Sequence, residues 1–139
     1  MGTGLNLLAA LVVVQALPAW DGAVRQTVES RIPIVGLDGP DADACSGIGR
    51  VSGLDPEGDY ALKVHDAPDQ AARETDKLKT ASLVWLCEAD GAWQGIVYAA
   101  PGGDLGDCRV SNPVMLPEPY SGTCRHGWVE ARYIQLVAG

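Results

Sequence analysis

Four cysteines constrain the fold of this 139-residue chain more than any other feature of its sequence. They are Cys45, Cys87, Cys108 and Cys124. No two of them form a Cys-x-x-Cys pair, so the sequence shows neither a zinc knuckle nor a thioredoxin-type motif. An even number of cysteines without metal-ligand spacing is typical of two disulfides, which form in oxidising compartments. Four cysteines allow three disulfide pairings, and the cysteine count alone does not decide among them.

The first 19 residues have the features of a secretory signal peptide. They contain no Asp, Glu, Lys or Arg, and residues 7–17 form an apolar run that suits an h-region and is too short to span a bilayer. We predict cleavage after Ala19, with Ala23 as the alternative position. Because no basic residue marks the start of the chain, an amphipathic or buried N-terminal segment is the competing interpretation. The pattern favours an exported protein, periplasmic or secreted, that is not inserted in the membrane after cleavage.

The texture of the sequence changes at Cys45. Residues 20–44 are rich in Gly, Pro and Asp and have little periodicity, which predicts an N-terminal arm or tether. From Cys45 onward, short apolar runs alternate with clusters of Gly, Pro and Asp, as in proteins built from many short β-strands. The sequence therefore predicts an all-β domain over residues 45–139.

Alternation and apolar runs locate the strands of this domain. The predicted strands are residues 60–65, 82–87, 93–98 and 129–137. In the first of them, alternation places Tyr60, Leu62 and Val64 on the inner face of a sheet.

The segments between the strands have the composition of turns and loops. Asp90-Gly91 is a strong hairpin signal and joins the second predicted strand to the third. Residues 66–80 are polar and predict a long loop that holds one helical turn at residues 71–76.

An irregular insertion occupies residues 99–126. It contains Cys108, Cys124 and three prolines between them, and proline is excluded from central strands. A disulfide between Cys108 and Cys124 would stabilise this segment by about 3 kcal/mol in the chain-entropy model. We predict this pairing, which leaves Cys45 with Cys87, because it gives the insertion a cross-link of its own.

The net charge of −8 excludes some partners. Since residues 1–19 carry no charged side chain, cleavage would leave this charge on the mature chain. Phosphate backbones and anionic lipid surfaces would be repelled, so the sequence predicts no nucleic-acid partner and no binding to an anionic membrane surface. Acidity by itself is explained by solubility, although it favours basic protein partners.

Three segments resemble the bacterial SH3 (SH3b-like) domain family, and they follow one another in the family's order. Leu62-Lys63-Val64-His65-Asp66-Ala67-Pro68 is similar to the signature Leu-Asn-Val-Arg-Ser-Gly-Pro, in which a short strand leads into a loop with a fixed proline. Asp90-Gly91-Ala92-Trp93 is similar to the Gly-x-Trp hairpin of the family. Gly127-Trp128-Val129-Glu130-Ala131-Arg132-Tyr133-Ile134 looks like the closing Gly-Trp-Val-x-x-x-Tyr-Ile, where a single tight turn precedes the final strand.

The resemblance covers residues 45–138 and implies a small SH3-like barrel with a disulfide-closed loop insertion. It also implies attachment or recognition at the cell envelope, often of peptidoglycan or its peptides. This sequence departs from the family where Lys63 and His65 replace Asn and Arg. It lacks the proline that lines the peptide groove of eukaryotic SH3 domains, so polyproline recognition is not carried over.

Aromatic residues are the candidate ligand contacts. We predict Tyr98, Tyr120 and Tyr133 as ligand-binding residues, because tyrosine hydroxyls prefer an edge that is in contact with water. Trp93 and Trp128 stand at strand starts, and we expect them in the core.

No catalytic or metal site is predicted. The competing hypothesis is a thiol peptidase that uses Cys108 or Cys124 with His126, and it requires a free cysteine. Two acidic clusters, residues 38–43 and 55–59, are explained as solvated loops, and the second lacks the glycine of a calcium loop.

The sequence thus predicts a non-catalytic binding module of the cell envelope, without cofactor, whose ligand is a cell-wall component or an envelope protein. The alternative is a periplasmic protein-binding scaffold or an inhibitor of a basic enzyme.

Overall fold

The computed structural model describes residues 27–58, 60–100 and 105–139, together with Gly2 and Gly4. The predicted signal peptide therefore lies outside the described residues, apart from these two glycines, as does the alternative cleavage position at Ala23. Within the described ranges the chain is all-β, and one short 3₁₀ helix is the other regular element. No helix in this part of the chain is long and apolar enough to cross a bilayer.

Most of the strands form one antiparallel sheet. The strands are β1 (Ile34–Val35), β2 (Gly47–Val51), β3 (Ala61–His65), β4 (Glu74–Lys79), β5 (Leu83–Asp90), β6 (Trp93–Tyr98), β7 (Glu118–Pro119), β8 (Arg125–Glu130) and β9 (Ile134–Ala138). The 3₁₀ helix Ala131–Tyr133 separates β8 from β9. Seven strands pair in the order β4-β3-β8-β6-β5-β2-β9, and β1 pairs with β7 in a separate ribbon.

The seven-stranded sheet curls around one core. This main core consists of Val51, Leu62, Val64, Leu78, Val84, Ile96, Tyr98 and Val129. Leu78 comes from β4 at one end of the sheet, and Ile134 of β9 at the other end packs against the same cluster. In a flat sheet with strands about 4.8 Å apart, the outer two strands would be about 29 Å from each other. Both ends can reach one core only because the sheet is strongly curled, although β4 and β9 are not paired with each other.

A glycine permits close contact within the curled sheet. A Cβ atom on Gly127 of β8 would lie 2.4 Å from Cγ1 of Val64 and 2.9 Å from the carbonyl oxygen of His65. The pairing of His65 with Trp128 therefore requires glycine at position 127.

A second core lies beside the sheet around the disulfides. It consists of Val35, Ala44, Cys45, Val97, Cys108, Val110 and Tyr120. Cys45 is bonded to Cys87 of β5, and Cys108 is bonded to Cys124, so the predicted disulfide pairing is confirmed.

Backbone hydrogen bonds join the two chain segments around this second core. The amides of Ala44 and Cys45 donate to the carbonyl oxygens of Asn112 and Val110, both at 2.9 Å. We refer to residues 34–45 and 108–124 together as the disulfide lobe.

Two of the predicted strands agree closely with the structure. β5 and β6 contain the predicted strands 82–87 and 93–98, apart from Ser82, and they form a hairpin around Asp90 and Gly91. Gly91 has φ +56°, which the turn requires and which glycine adopts without strain.

The prediction for residues 66–80 is wrong in its second half. No helical turn forms at residues 71–76, and β4 pairs there with β3. The sequence of β4, Glu-Thr-Asp-Lys-Leu-Lys, contains a single apolar residue, the buried Leu78. It therefore lacks the apolar alternation that is typical of a strand. Such a charged strand is stable at the edge of a sheet, where one side of its backbone faces water.

The predicted last strand, residues 129–137, is two strands. β8 ends at Glu130, the 3₁₀ helix turns the chain, and β9 begins at Ile134. β8 pairs with β6, whereas β9 pairs with β2 on the other side of the sheet. The two ends of the predicted strand thus lie in different parts of the curled sheet.

The described part of the predicted arm lies against the sheet. Arg31 forms ion pairs with Glu88 and Asp90 of β5, and its carbonyl oxygen accepts a 2.7 Å hydrogen bond from the indole nitrogen of Trp128. Val35 belongs to the second core. Residues 31–35 are therefore packed, in contrast to a tether, and the domain boundary at residue 45 stays a prediction.

Candidate functional site

A groove of about 320 Å³ opens between the β2–β3 connection and the 3₁₀ helix. Its volume lies at the lower end of the range of small-molecule sites. Leu54 and Leu62 contribute apolar atoms to its lining and also belong to or pack against the main core, whereas polar groups make up the larger share of the lining surface. Tyr60 and Tyr133 contribute their aromatic rings from opposite segments of the chain.

Tyr60 lies in this groove and not, as predicted, on the inner face of a strand. β3 begins one residue later, at Ala61, and the Tyr60 side chain is 63% exposed. Its φ of +51° lies in the left-handed region, which costs a non-glycine residue about 1 kcal/mol. Ala81 and Arg109, which do not line the groove, adopt the same region, so this conformation by itself does not mark a ligand site.

Charged and polar groups of both signs line the same groove. Glu130 Oε1 accepts a hydrogen bond from Gln70 Nε2 at 2.9 Å and another from Arg132 Nη2 at 3.2 Å. The Arg132 guanidinium also lies 4.6 Å from the centroid of the Tyr133 ring. With Lys63 on the β3 side and Asp55 on the β2–β3 connection, the groove presents charges of both signs close to the exposed ring of Tyr60 and the half-buried ring of Tyr133. It can therefore hold a ligand that carries both an amine and a carboxylate.

Of the three tyrosines predicted to bind ligand, Tyr133 alone lines this groove. The side chains of Tyr98 and Tyr120 are only 1% and 5% exposed, respectively. Tyr98 belongs to the main core and Tyr120 to the second core, so the structure does not bring the three together on one surface.

The Tyr98 hydroxyl belongs to a hydrogen-bond network that links three strands of the sheet. It donates to Asp76 Oδ2 at 2.8 Å, and Arg125 Nη1 donates to the same oxygen at 3.0 Å. Burial raises the pKa of Tyr98 well above its usual range, and the hydrogen bond to Asp76 adds to this effect. Burial also opposes ionisation of Asp76, but the hydrogen bonds from Tyr98, the Lys77 amide and Arg125 outweigh it and lower the pKa of that carboxyl.

The Tyr120 hydroxyl closes the disulfide lobe internally. It donates to the carbonyl oxygen of Cys108 and accepts from the backbone amide of Cys124, both at 3.1 Å. The hydroxyl thus joins the backbones of the same two cysteines that the disulfide joins, and it stabilises the lobe.

Next to Tyr98 lies a second cleft of about 380 Å³, lined in part by Asp76, Arg125 and His126. Burial lowers the pKa of His126, which favours the neutral imidazole. Cys108 and Cys124, the nucleophiles of the competing peptidase hypothesis, are bonded to each other, and no cysteine among the described residues is free. Whether the chain has a catalytic activity of its own stays a matter of prediction.

The two tryptophans differ in their environments. Trp128 is fully buried, as predicted for a core residue. The Arg31 guanidinium stacks on its ring at 4.7 Å from the centroid. Trp93 is half-buried, and its ring meets the edge of the His65 ring with centroids 5.2 Å apart.

Sequence reasoning missed most of the groove. Tyr60 continues the alternation of β3 by spacing alone, and only the turn-forming residues just before it signal that the strand starts later. Gln70, Glu130 and Arg132 meet only because the β3–β4 hairpin lies beside the 3₁₀ helix, which no local pattern reveals.

Two disulfides point to an oxidising compartment outside the cytoplasm. Comparison with known proteins finds no matching family model, no matching curated protein and no matching solved structure.

Proposed function

We propose that this chain is an exported binding module of the bacterial cell envelope, and that a peptidoglycan stem peptide binds in the groove between Tyr60 and Tyr133. The observation that carries the proposal is the groove itself, with two aromatic rings, apolar contacts from Leu54 and Leu62, and charges of both signs. A stem peptide offers matching chemistry, since it combines apolar alanine side chains with carboxylates and a free amine.

An SH3-like barrel is the fold we propose for the domain. Three features support it: the sheet is strongly curled, the β5–β6 hairpin lies between β2 and β8 in the sheet, and one tight 3₁₀ turn precedes the final strand. Gly127 and Trp128, from the closing motif, lie where β8 meets β3, the strand of the first motif.

Local charge makes the groove suitable for such a ligand in spite of the net charge of −8. Lys63 and Arg132 lie in the groove together with Asp55 and Glu130, so its charges balance. The Arg132 guanidinium is partly neutralised by Glu130, to which it is hydrogen-bonded, and Lys63 stands 4.0 Å from Glu74. Because these pairs are exposed and weak, a ligand carboxylate can compete for either cation.

Co-sedimentation with purified peptidoglycan tests the proposal. The wild-type chain is expected to sediment with the polymer, and Tyr60→Ala and Tyr133→Ala are each expected to weaken binding about 10-fold, as at aromatic contact residues in other interfaces. Met115→Ala is the control, because Met115 is exposed in the disulfide lobe and lines no part of the groove.

Two results would contradict the proposal. One is a wild-type chain that stays in the supernatant at low ionic strength. The other is equal sedimentation of the wild type and both tyrosine variants while all three remain folded by circular dichroism. Salt-sensitive capture of basic proteins by the groove, without peptidoglycan binding, would favour the alternative of a protein-binding scaffold.

A further inference from the structure

The disulfide lobe ends in an apolar tip. Leu37, Met115 and Leu116 are 51%, 84% and 75% exposed. The ribbon of β1 and β7 brings Leu37 and Leu116 close together, because Val35 pairs with Glu118 and the same antiparallel register, continued two residues beyond the strands, places Leu37 opposite Leu116. Gly36 makes the approach close, since a Cβ atom there would lie 2.3 Å from Cγ2 of Val114. Exposed apolar clusters of this kind mark interaction surfaces.

The tip is held rigidly from below. The amide of Gly36 donates to the carbonyl oxygen of Ala44 at 2.8 Å, which closes the loop that carries Leu37. The Cys108–Cys124 disulfide and the Tyr120 hydroxyl close the loop that carries Met115 and Leu116. A surface that is ordered before binding loses less conformational entropy when it binds.

The chain segments that form the apolar tip also carry exposed carboxylates. Asp38, Asp41 and Asp43 are exposed on the loop that carries Leu37, and Glu118 is exposed two residues after Leu116. The one basic residue in the described lobe is Arg109, near the start of the segment 108–124. An apolar centre with a charged rim is the usual composition of a protein–protein contact, in which methionine is enriched at the centre.

We propose that this tip inserts into an open, apolar-lined cleft of a basic protein, with Leu37, Met115 and Leu116 in the cleft and the four carboxylates against its cationic rim. The inference goes beyond the proposed function, because the tip shares no residue with the Tyr60–Tyr133 groove. The acidic rim favours a basic protein over an anionic lipid surface, and it opposes a second copy of this acidic chain.

Lysozyme is the probe, since it is small and basic and its active site lies in an open cleft with an apolar pocket. Binding is measured by biolayer interferometry on the full exported chain, at low and at physiological salt. The wild type is expected to bind with a Kd in the micromolar range and to lose about 10-fold in affinity between these salt concentrations. Cytochrome c, which is basic but offers no such cleft, is expected to bind at least about 10-fold more weakly.

The variants separate the tip from the rest of the molecule. Met115→Ser with Leu116→Ser is expected to weaken lysozyme binding at least about 10-fold. Asp41→Asn with Asp43→Asn is expected to weaken it and to reduce its salt dependence. Leu136→Ser is the matched control, because Leu136 is a 63% exposed apolar residue on β9, outside the lobe. Tyr60→Ala is expected to leave lysozyme binding unchanged, which distinguishes this surface from the groove.

Several outcomes would overturn the inference. Absence of lysozyme binding at about 100 µM and low salt would overturn it, because lysozyme offers both the apolar cleft and the basic surface that the tip requires. Equal binding by the wild type and the Met115/Leu116 variant would show that the tip is not the contact. Binding to phosphatidylcholine vesicles, or dimerisation in sedimentation velocity, that is lost in the same variant would assign the tip to a membrane or to a second copy instead.

Discussion

One carboxylate oxygen of Asp76 receives hydrogen bonds from both Tyr98 and Arg125, and it joins β4 to β6 and β8. Tyr98→Phe is expected to reduce the free energy of unfolding at neutral pH by about 1 kcal/mol, through the loss of one hydrogen bond. Because the pKa of Asp76 is lowered in the folded state, its ionisation stabilises the fold above the pKa of the unfolded carboxyl, about 3.9, and this contribution is lost as the pH falls through the lower folded value.

Urea unfolding of the wild type and Tyr98→Phe between about pH 7 and pH 2 measures this effect. The difference between the two proteins is expected to be constant near neutral pH and to shrink below about pH 4, where first the unfolded carboxyl and then, at its lowered pKa, the Asp76 carboxyl of the folded state become protonated. Tyr120→Phe is the control, because its hydroxyl contacts only backbone groups at distances of 3.1 Å. A difference for Tyr98→Phe that does not change with pH would contradict the proposed network.

Single side chains were the hardest feature to predict from sequence. The expectation that tyrosine hydroxyls face water placed Tyr98 and Tyr120 on a binding surface, yet both hydroxyls have protein partners and both rings are buried. Tyr60 was expected to be buried and is exposed. Alternation fixes the side of a strand on which a residue lies only where the strand has begun, and here β3 begins at Ala61.

At the scale of elements, the two disulfides act on different parts of the structure. Cys45–Cys87 spans 42 residues and ties the lobe to β5, whereas Cys108–Cys124 spans 16 residues and closes a loop within the lobe. In the chain-entropy model, replacing the first pair by serine is expected to destabilise the chain by about 4 kcal/mol and replacing the second pair by about 3 kcal/mol.

Hydrogen exchange locates these losses. In the Cys108→Ser, Cys124→Ser variant, the amides of Cys45 and Tyr120, which donate to the carbonyl oxygens of Val110 and Pro33, are expected to lose protection while the amide of Ile96, in the main core, keeps it. A uniform loss of protection across both cores would instead mean that the disulfide lobe and the sheet unfold as one unit.

Elements with strong local signals were predicted well, and those that depend on distant pairing were not. The Asp90-Gly91 hairpin has its turn chemistry in two adjacent residues. β4 has no such signal, because its strand conformation comes from pairing with β3 at an edge where charged side chains are tolerated. The break between β8 and β9 likewise depends on which neighbour each half pairs with.

At the scale of the whole molecule, the two cores divide the chain into surfaces with different chemistry. The main core supports the groove, in which cations and anions balance around Tyr60 and Tyr133. The second core supports an acidic lobe with an apolar tip. The net charge of −8 is thus not spread evenly, and it does not prevent the groove from accepting a ligand that carries carboxylates.

The most direct test of the central claim is an NMR titration of the ¹⁵N-labelled chain with a soluble stem peptide prepared from peptidoglycan. Saturable chemical-shift changes are expected at the groove, in the amides of Tyr60, Lys63, Gln70, Arg132 and Tyr133, while the amides of the disulfide lobe remain unchanged. Changes confined to the lobe, or no change at millimolar peptide, would contradict the assignment of the groove as the ligand site.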